Sequence, residues 1–455
     1  MVPGSAQGNG GATSPGLTAT EIRVAFPEVT SGASELTNLA PLVAFFNTHF
    51  ELYGRQIVLA PFPSQQGTQA YAANDDAVSA TAQKADAEQA ASLNVLAATD
   101  FTDNGGELIS ALPTYLDTLA SHRVVALAGG NTPPLTSPQD LQSHAPYEWT
   151  YEPTSTDLFA NFGQMVCRAL VGHNATHASA YADVTRKFAL LLPDPSITGG
   201  PLAGESALSS TLAGCGVSGL RQVYYTNSTS DVGALSESFV QLKAAGVTSL
   251  LFYPLFSGTT FPPEVASTAA YDPEWVTLSW EPLITADFET NGTPNETNNT
   301  FGIAEWNRLL PLSRMPWDEA YLEAGGLASN TFTLDDANDL YHELLLLASG
   351  AQMAGPRLTP QTFAQALAAT TFANPGAAAA PSYQATVGFA ATSHAMVDDY
   401  AEFWFDPSGN AASTLEALRS QAGDSYQDFC YVGLGARWSD TDWPDSDNFY
   451  SSPCR

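Results

Sequence analysis

The chain has 455 residues, 44% of them hydrophobic. That is enough for two or three domains at about 150 residues each, and too apolar for a disordered chain. Fifteen Lys and Arg stand against 47 Asp and Glu, a formal charge of −32, which repels phosphate backbones and anionic membrane faces and so excludes nucleic acid as a partner.

In chain order, residues 1–20 are Gly-rich and polar and read as a flexible tail. They hold neither a basic n-region nor an apolar h-region, and suit either an intracellular tail or the spacer behind an excised export signal. EIRVAFP (21–27) alternates into a first strand. SELTNLAPLVAFFNTHFEL predicts a helix, Gly54 a turn, and RQIVLAPF a second strand starting at solvent with Arg55. AQKADAEQAASL is helical, NVLAATD a buried-type strand, GGELISALPTYLDTLASH a helix and RVVALAGGN a strand. Alternating β and α elements with strands this apolar indicate a parallel sheet covered by helices.

The pattern restarts near residue 150. STDLFANFGQMVCRALVGH, ESALSSTLAGCG and VGALSESFVQLKAAG predict helices, and RKFALLLPD, RQVYYTN, VTSLLFYP and EWVTLSW predict strands. Residues 335–355 form an amphipathic helix, and TPQTFAQALAAT another with Pro just inside its start. The stretch 430–455 is aromatic, acidic and loop-like. No run approaches the roughly 18 to 20 apolar residues that span a bilayer.

Cys167, Cys215, Cys430 and Cys454 have no metal-ligand spacing. They favour an oxidising compartment and two disulfides. Three pairings are open, of which Cys167 with Cys215 and Cys430 with Cys454 is the simplest. Sequons at Asn174, Asn227, Asn291, Asn295 and Asn298 require only polar surface loops.

Catalytic and cofactor motifs are missing. No G-x-G-x-x-G follows the first strand, no Walker lysine follows a Gly-rich loop, and CGVSG around Ser218 lacks the nucleophile-elbow spacing. His173 and His177 are four apart, but the intervening Gly- and Asn-containing run favours a structural role. Asp440, Asp442, Asp445 and Asp447 lack the glycine and closing Glu of a calcium loop. No cofactor or metal is expected.

The strand ends carry more. In parallel α/β sheets ligands gather beyond the carboxyl ends of the strands. There Thr99, Asp100 and Asn131 offer hydrogen-bonding groups, Gly129 and Gly130 permit close backbone approach, and Tyr151, Phe252 and Phe256 offer aromatic walls. Singly, such residues are ordinary helix caps and loop starts. As a set they point to a small-ligand site.

Asn47, Gly54-Arg55, NVLAATDF, RVVALAGGNTPPLTS, PYEWTYEPTSTDLFANFGQMV and FVQLKAAGVTSLLFYP together make residues 21–410 resemble type I periplasmic solute-binding proteins, the branched-chain amino acid-binding group that serves ABC transporters. The resemblance implies an α/β, two-lobed fold of mostly parallel sheets covered by helices on both faces, with a hinged cleft. It implies lobes at 21–150 plus about 311–378 and at 151–310 plus about 379–429, then an extension over 430–455. Ligand contacts carried over are Thr99, Asp100, Gly130 and Asn131 from the first lobe, and Tyr151, Asp194, Phe256 and Glu281 from the second or a crossover. The chain departs from the family pattern at HFELY, TDFTDNGG and DPSITGG; Asp100 in place of a hydroxyl points to an amine or cation.

The expected protein is a non-enzymatic, extracytoplasmic monomer, secreted, periplasmic or lipid-anchored, that captures a small polar ligand for a membrane ABC permease. Two alternatives are a ligand-sensing receptor module of the same fold and an α/β enzyme without a recognisable motif.

Overall fold

The computed structural model describes residues 8–28, 36–66, 68, 79–99, 113–128, 137–196, 198, 200–226, 231–254, 261–279, 299–305, 316–326, 334–369, 389, 393–397, 399–405, 429–432, 436–439 and 442–445. The chain divides into two compact units. Unit 1 comprises Met1–Thr154, Leu312–Phe372 and Gly388–Met396; unit 2 comprises Ser155–Pro311, Ala373–Val387 and Val397–Arg455.

Unit 1 begins with β1 (Glu21–Glu28), α1 (Leu36–His49), β2 (Gln56–Pro63), α2 (Ala80–Ser92), β3 (Ala97–Thr99), α3 (Pro113–Ser121), β4 (Val125–Ala128), α4 (Pro138–Ser143) and β5 (Glu148–Thr150). The strands form one parallel sheet in the order β2-β1-β3-β4-β5. Its core includes Ala25, Phe62, Ala87, Tyr115, Leu119 and Val124. Two successive left-handed residues, Tyr53 (φ 57°) and Gly54 (φ 80°), turn α1 into β2. Asn47 locks the turn from inside α1: its side chain accepts from the Ile57 amide at 2.7 Å and donates to the Ile57 carbonyl at 3.0 Å.

Two expectations change here. Arg55 is not at a solvent-exposed strand start but 4% exposed. Its guanidinium donates to the carbonyls of Thr18 (2.9 Å), Pro356 (3.1 Å), Gly11 (3.0 Å) and Asn9. Those acceptors explain the second change. Residues 8–20, read from composition as part of a flexible tail, dock on unit 1. Leu17 is buried, and Gly16 (φ +74°) lies so close to Val95 and Leu96 that an added Cβ would meet backbone atoms at about 2 Å.

Unit 2 continues with α5 (Ser155–Met165), a π turn over Val166–Leu170, β6 (Phe188–Pro193), α6 (Glu205–Gly214), β7 (Arg221–Tyr225), α7 (Val232–Ala244), β8 (Ser249–Phe252), α8 (Phe261–Thr268), β9 (Glu274–Ser279) and β10 (Thr300–Ala304). Its core joins Leu191, Tyr225, Phe239, Leu250, Phe252 and Trp275. A buried ion pair fixes the start of β9. The Arg186 fork donates to both Glu274 oxygens at 2.8 and 3.0 Å, and Ser249 adds a 2.6 Å bond. Cys167 and Cys215 form a disulfide between the π turn and the end of α6. Cys430 lies on a strand whose side chains are not described, and Cys454 lies outside the described residues.

The chain then returns to unit 1 with α9 (Pro316–Glu323), α10 (Leu334–Ala354) and α11 (Pro360–Ala368). In α11 a Thr359–Thr362 capping box with Pro360 at the first turn starts the helix where the sequence places it. Unit 2 ends with β11 (Tyr400–Phe405), β12 (Phe429–Tyr431) and β13 (Arg437–Trp438). Among the described residues, its sheet runs β12-β11-β10-β9-β8-β6-β7, parallel from β10 to β7 and antiparallel where β11 meets β10, β12 and β13. The stretch read as a loop-like tail thus supplies sheet strands. It also supplies Trp443, which is 1% exposed and donates from Nε1 to Asn161 at 3.2 Å.

Candidate ligand-binding surfaces at the carboxyl ends of the two sheets

In unit 1 the carboxyl ends of β1 to β5 bring together Ser64–Gln66, Thr99 and Thr150–Glu152. Asp86 of α2 organises the turn after β2. It accepts from the Ser64 hydroxyl (2.8 Å) and from the amides of Gln65 (2.8 Å) and Gln66 (3.0 Å) while wholly buried. Three hydrogen bonds offset the desolvation of a carboxylate that would otherwise resist burial. The Gln66 carboxamide, also fully buried, has neither its oxygen nor its nitrogen bonded.

Thr99 is fully buried at the end of β3. Its hydroxyl donates to the Ala25 carbonyl of β1 at 3.3 Å, and its carbonyl accepts from Tyr115 at 3.1 Å. Its immediate neighbour Asp100, together with Gly130 and Asn131 beyond β4, lies outside the described residues.

Tyr151 follows β5 and is 1% exposed. Its hydroxyl donates to Asp339 of α10 at 3.3 Å, and its ring stacks on His342 with centroids 5.2 Å apart. Asp339, His342 and Glu343, at i, i+3 and i+4, share a face of α10. The sequence marks that helix as amphipathic, yet these polar residues are as buried as Leu340, Leu344 and Leu347. Glu152, 5% exposed, adds a further carboxylate beside Tyr151 in the chain. Behind β5, His394 stacks on Trp149 at 3.8 Å and bonds through Nδ1 to the Glu148 carbonyl at 2.9 Å, and burial lowers its pKa. At the end of α4, His144 bonds to both Glu148 and Asp117; the Glu148 hydrogen bond leads in raising it to about 9.

Unit 2 presents a different edge. Asp194, after β6, donates its amide to the Tyr225 carbonyl at 2.8 Å and turns its carboxylate back onto the Ser196 amide at 2.8 Å. Hydrogen bonds from Ser196, hydroxyl first and amide second, hold that carboxylate below the usual range. Tyr225 donates to the Tyr253 carbonyl at 2.9 Å, and Tyr253 packs on Phe159 of α5 at 5.1 Å. Glu305 follows β10 and Tyr400 opens β11, both fully buried. Arg437 joins them. It pairs with Asp399 at 2.7 Å and donates to the carbonyls of Asp399 and Glu305. Phe256 and Glu281 lie outside the described residues.

Of the expected contacts, Thr99 and Tyr151 therefore fall at the sheet edge of unit 1 and Asp194 at that of unit 2. The polar groups that sequence reasoning missed are Gln66, Asp339, His342 and Glu343 in unit 1, and Glu305, Asp399 and Arg437 in unit 2. Carboxylates predominate on both edges, and such surfaces favour ligand groups that donate hydrogen bonds or carry positive charge. Among the described residues no group of three or more His, Cys, Asp or Glu is placed to hold a metal, and no helix is long and apolar enough to cross a membrane.

No known protein-family profile and no curated protein sequence matches the chain. Solved structures do. An ABC transporter substrate-binding protein from Aeropyrum pernix shares the fold at 11% identity, over 92% of this chain and 96% of that one, with a TM-score of 0.60. A branched-chain amino acid ABC transporter protein from Thermus thermophilus with bound valine gives 10%, 92%, 97% and 0.57 in the same order. A solute-binding protein of an ABC transporter from Rhodopseudomonas palustris HaA2, in complex with p-hydroxybenzoic acid, gives 14%, 85%, 93% and 0.55. The α/β fold is that of the type I substrate-binding proteins of ABC transporters, and these neighbours are binding proteins rather than enzymes.

Proposed function

We propose that the chain is an extracytoplasmic, monomeric solute-binding protein that captures a small polar ligand, amino acid-like or an amine or amide, for a membrane ABC permease, without enzymatic chemistry. The observation that carries this reading is a fold shared with transporter binding proteins over more than nine-tenths of both chains. The buried polar groups at the carboxyl ends of both sheets support it, because that is where parallel α/β sheets hold ligands. The disulfide supports an oxidising, extracytoplasmic setting. The carboxylate-rich edges favour an amine-bearing ligand.

Proposed contacts are Thr99, Asp100, Gly130, Asn131 and Tyr151 on the first lobe or its crossover and Asp194, Phe256 and Glu281 on the second. Thermal-shift measurements against amino acids, polyamines, short peptides and aromatic acids test the reading. A ligand present at 100 times its Kd adds about 2.7 kcal/mol of stability, a rise of a few degrees in Tm. Thr99→Val with Asn131→Ala should abolish the rise while the protein stays folded. Native mass spectrometry of the untreated protein detects a ligand already bound. If the panel gives no shift and no bound molecule is seen, the reading is wrong.

A further inference from the structure

Two of the few basic side chains of this chain, Arg55 and Arg186, are buried. Three of the described guanidinium groups work inside the units: Arg55 on four backbone carbonyls, Arg186 against Glu274 with both side chains wholly buried, and Arg437 against Asp399 and two carbonyls. Lys187 and Lys243 donate to the carbonyls of Ala245 and Ala270, where α7 and α8 have just ended. Among the described residues, Lys and Arg partners for outer carboxylates are Arg23 to Glu21 (3.8 Å), Lys84 to Glu88 (3.7 Å) and Arg168 to Asp445 (3.2 Å).

More carboxylates than guanidinium groups are withdrawn from solvent. Ten Asp and Glu and two Arg are buried among the described residues; taking these from 47 and 15 leaves 37 acidic residues against 13 basic ones. With the buried groups set aside, the surface stays acidic by nearly three to one. Neighbouring like charges repel over a Debye length of about 10 Å at 0.1 M salt but only about 3 Å at 1 M, and self-repulsion opposes the compact state.

We infer that the partner of this surface is a dense atmosphere of hydrated monovalent cations, and that the fold reaches full stability only in salt of about 1 M. Solubility alone would explain the composition without requiring salt for folding. The two accounts part in a denaturation series. The urea midpoint is measured at pH 7 in 0.1, 0.5, 1 and 2 M KCl, with parallel samples in 0.1 M KCl plus sucrose. The expected result is a steep rise up to about 1 M KCl that sucrose does not reproduce at 0.1 M.

A second arm replaces three exposed carboxylates, Asp183→Lys, Glu323→Lys and Asp442→Lys. This changes the formal charge by six from −32, so repulsion, which scales with the square of net charge, falls by roughly one third. The salt dependence of the midpoint should fall in proportion, while stability in 2 M KCl matches the parent and certifies the fold. A midpoint that is flat or falls between 0.1 and 1 M KCl overturns the inference. So does an equal rise in sucrose, or a variant that keeps the parent's full dependence.

Discussion

Glu402 should make unit 2 less stable as pH rises, and removing its charge should reverse that. It lies in β11 opposite Ile303 of β10, between Tyr400 and Trp404 on one face of the strand. It is fully buried, and neither carboxyl oxygen has a hydrogen-bond partner. Burial raises its pKa from 4.5 to about 9. Because the folded pKa is raised, the native protein holds a proton that the unfolded chain releases, so stability falls between pH 4.5 and about 9. At pH 7 the gap from 4.5 is about 2.5 pH units at about 1.4 kcal/mol each, or roughly 3 kcal/mol. Glu402→Gln keeps the shape of the neutral acid and cannot titrate. Urea unfolding followed by tryptophan fluorescence, at fixed high salt, should show the variant near parental stability at pH 4.5 and more stable by roughly 3 kcal/mol at pH 7. A difference between variant and parent that stays constant from pH 4.5 to 8 would refute the reasoning, because a cost independent of protonation is packing and not titration.

Three further outcomes are expected. Opening the Cys167–Cys215 bridge, whose ends are 48 residues apart, should cost unit 2 up to about 4 kcal/mol through unfolded-chain entropy; melts without reductant should show the Cys167→Ser, Cys215→Ser double variant less stable than the parent by that amount, and reductant should narrow the gap. Arg55→Lys keeps the charge but loses the fork and leaves buried carbonyls unsatisfied at about 1 to 3 kcal/mol each; hydrogen exchange should accelerate in residues 8–20 before the rest of unit 1. In unit 1, His144 is raised to about 9, chiefly by its hydrogen bond to Glu148. That contribution is complete below pH 6.5 and lost as pH rises to about 9, so His144→Asn should flatten the pH dependence of unit 1 over that window in thermal melts.

Most of the fold could be read from the chain because its parallel strands are short apolar runs and its helices carry local start signals such as Thr359-Pro360. β5 and β12 are too short, at three residues each, for any periodicity to show. β10 and β11 escaped notice for another reason: TFGIA follows a polar, sequon-rich run, and Glu402 interrupts the apolar pattern of YAEFWF. The candidate surfaces were legible only where a strand end announces them, at Thr99, Tyr151 and Asp194. Asp339, His342 and Glu343 have the spacing of a solvated helix face. Only tertiary packing turns that face inward, and local sequence carries no record of it. Arg55 misled in the same way, because four acceptors spread from residue 9 to residue 356 decide its burial.

The interleaving of the two units bears on how the protein is made. The Thr150 amide at the end of β5 bonds to the His394 carbonyl, and the antiparallel end of the unit 2 sheet is built from residues 400–438. The described unit 1 and unit 2 contacts therefore cannot all form until residues 394 and 438, respectively, have left the ribosome. At about 5 to 20 residues per second Thr150 waits roughly 10 to 50 seconds for His394. Over much of the same synthesis, TFGIA of β10 has β9 beside it on one side and still lacks β11 on the other.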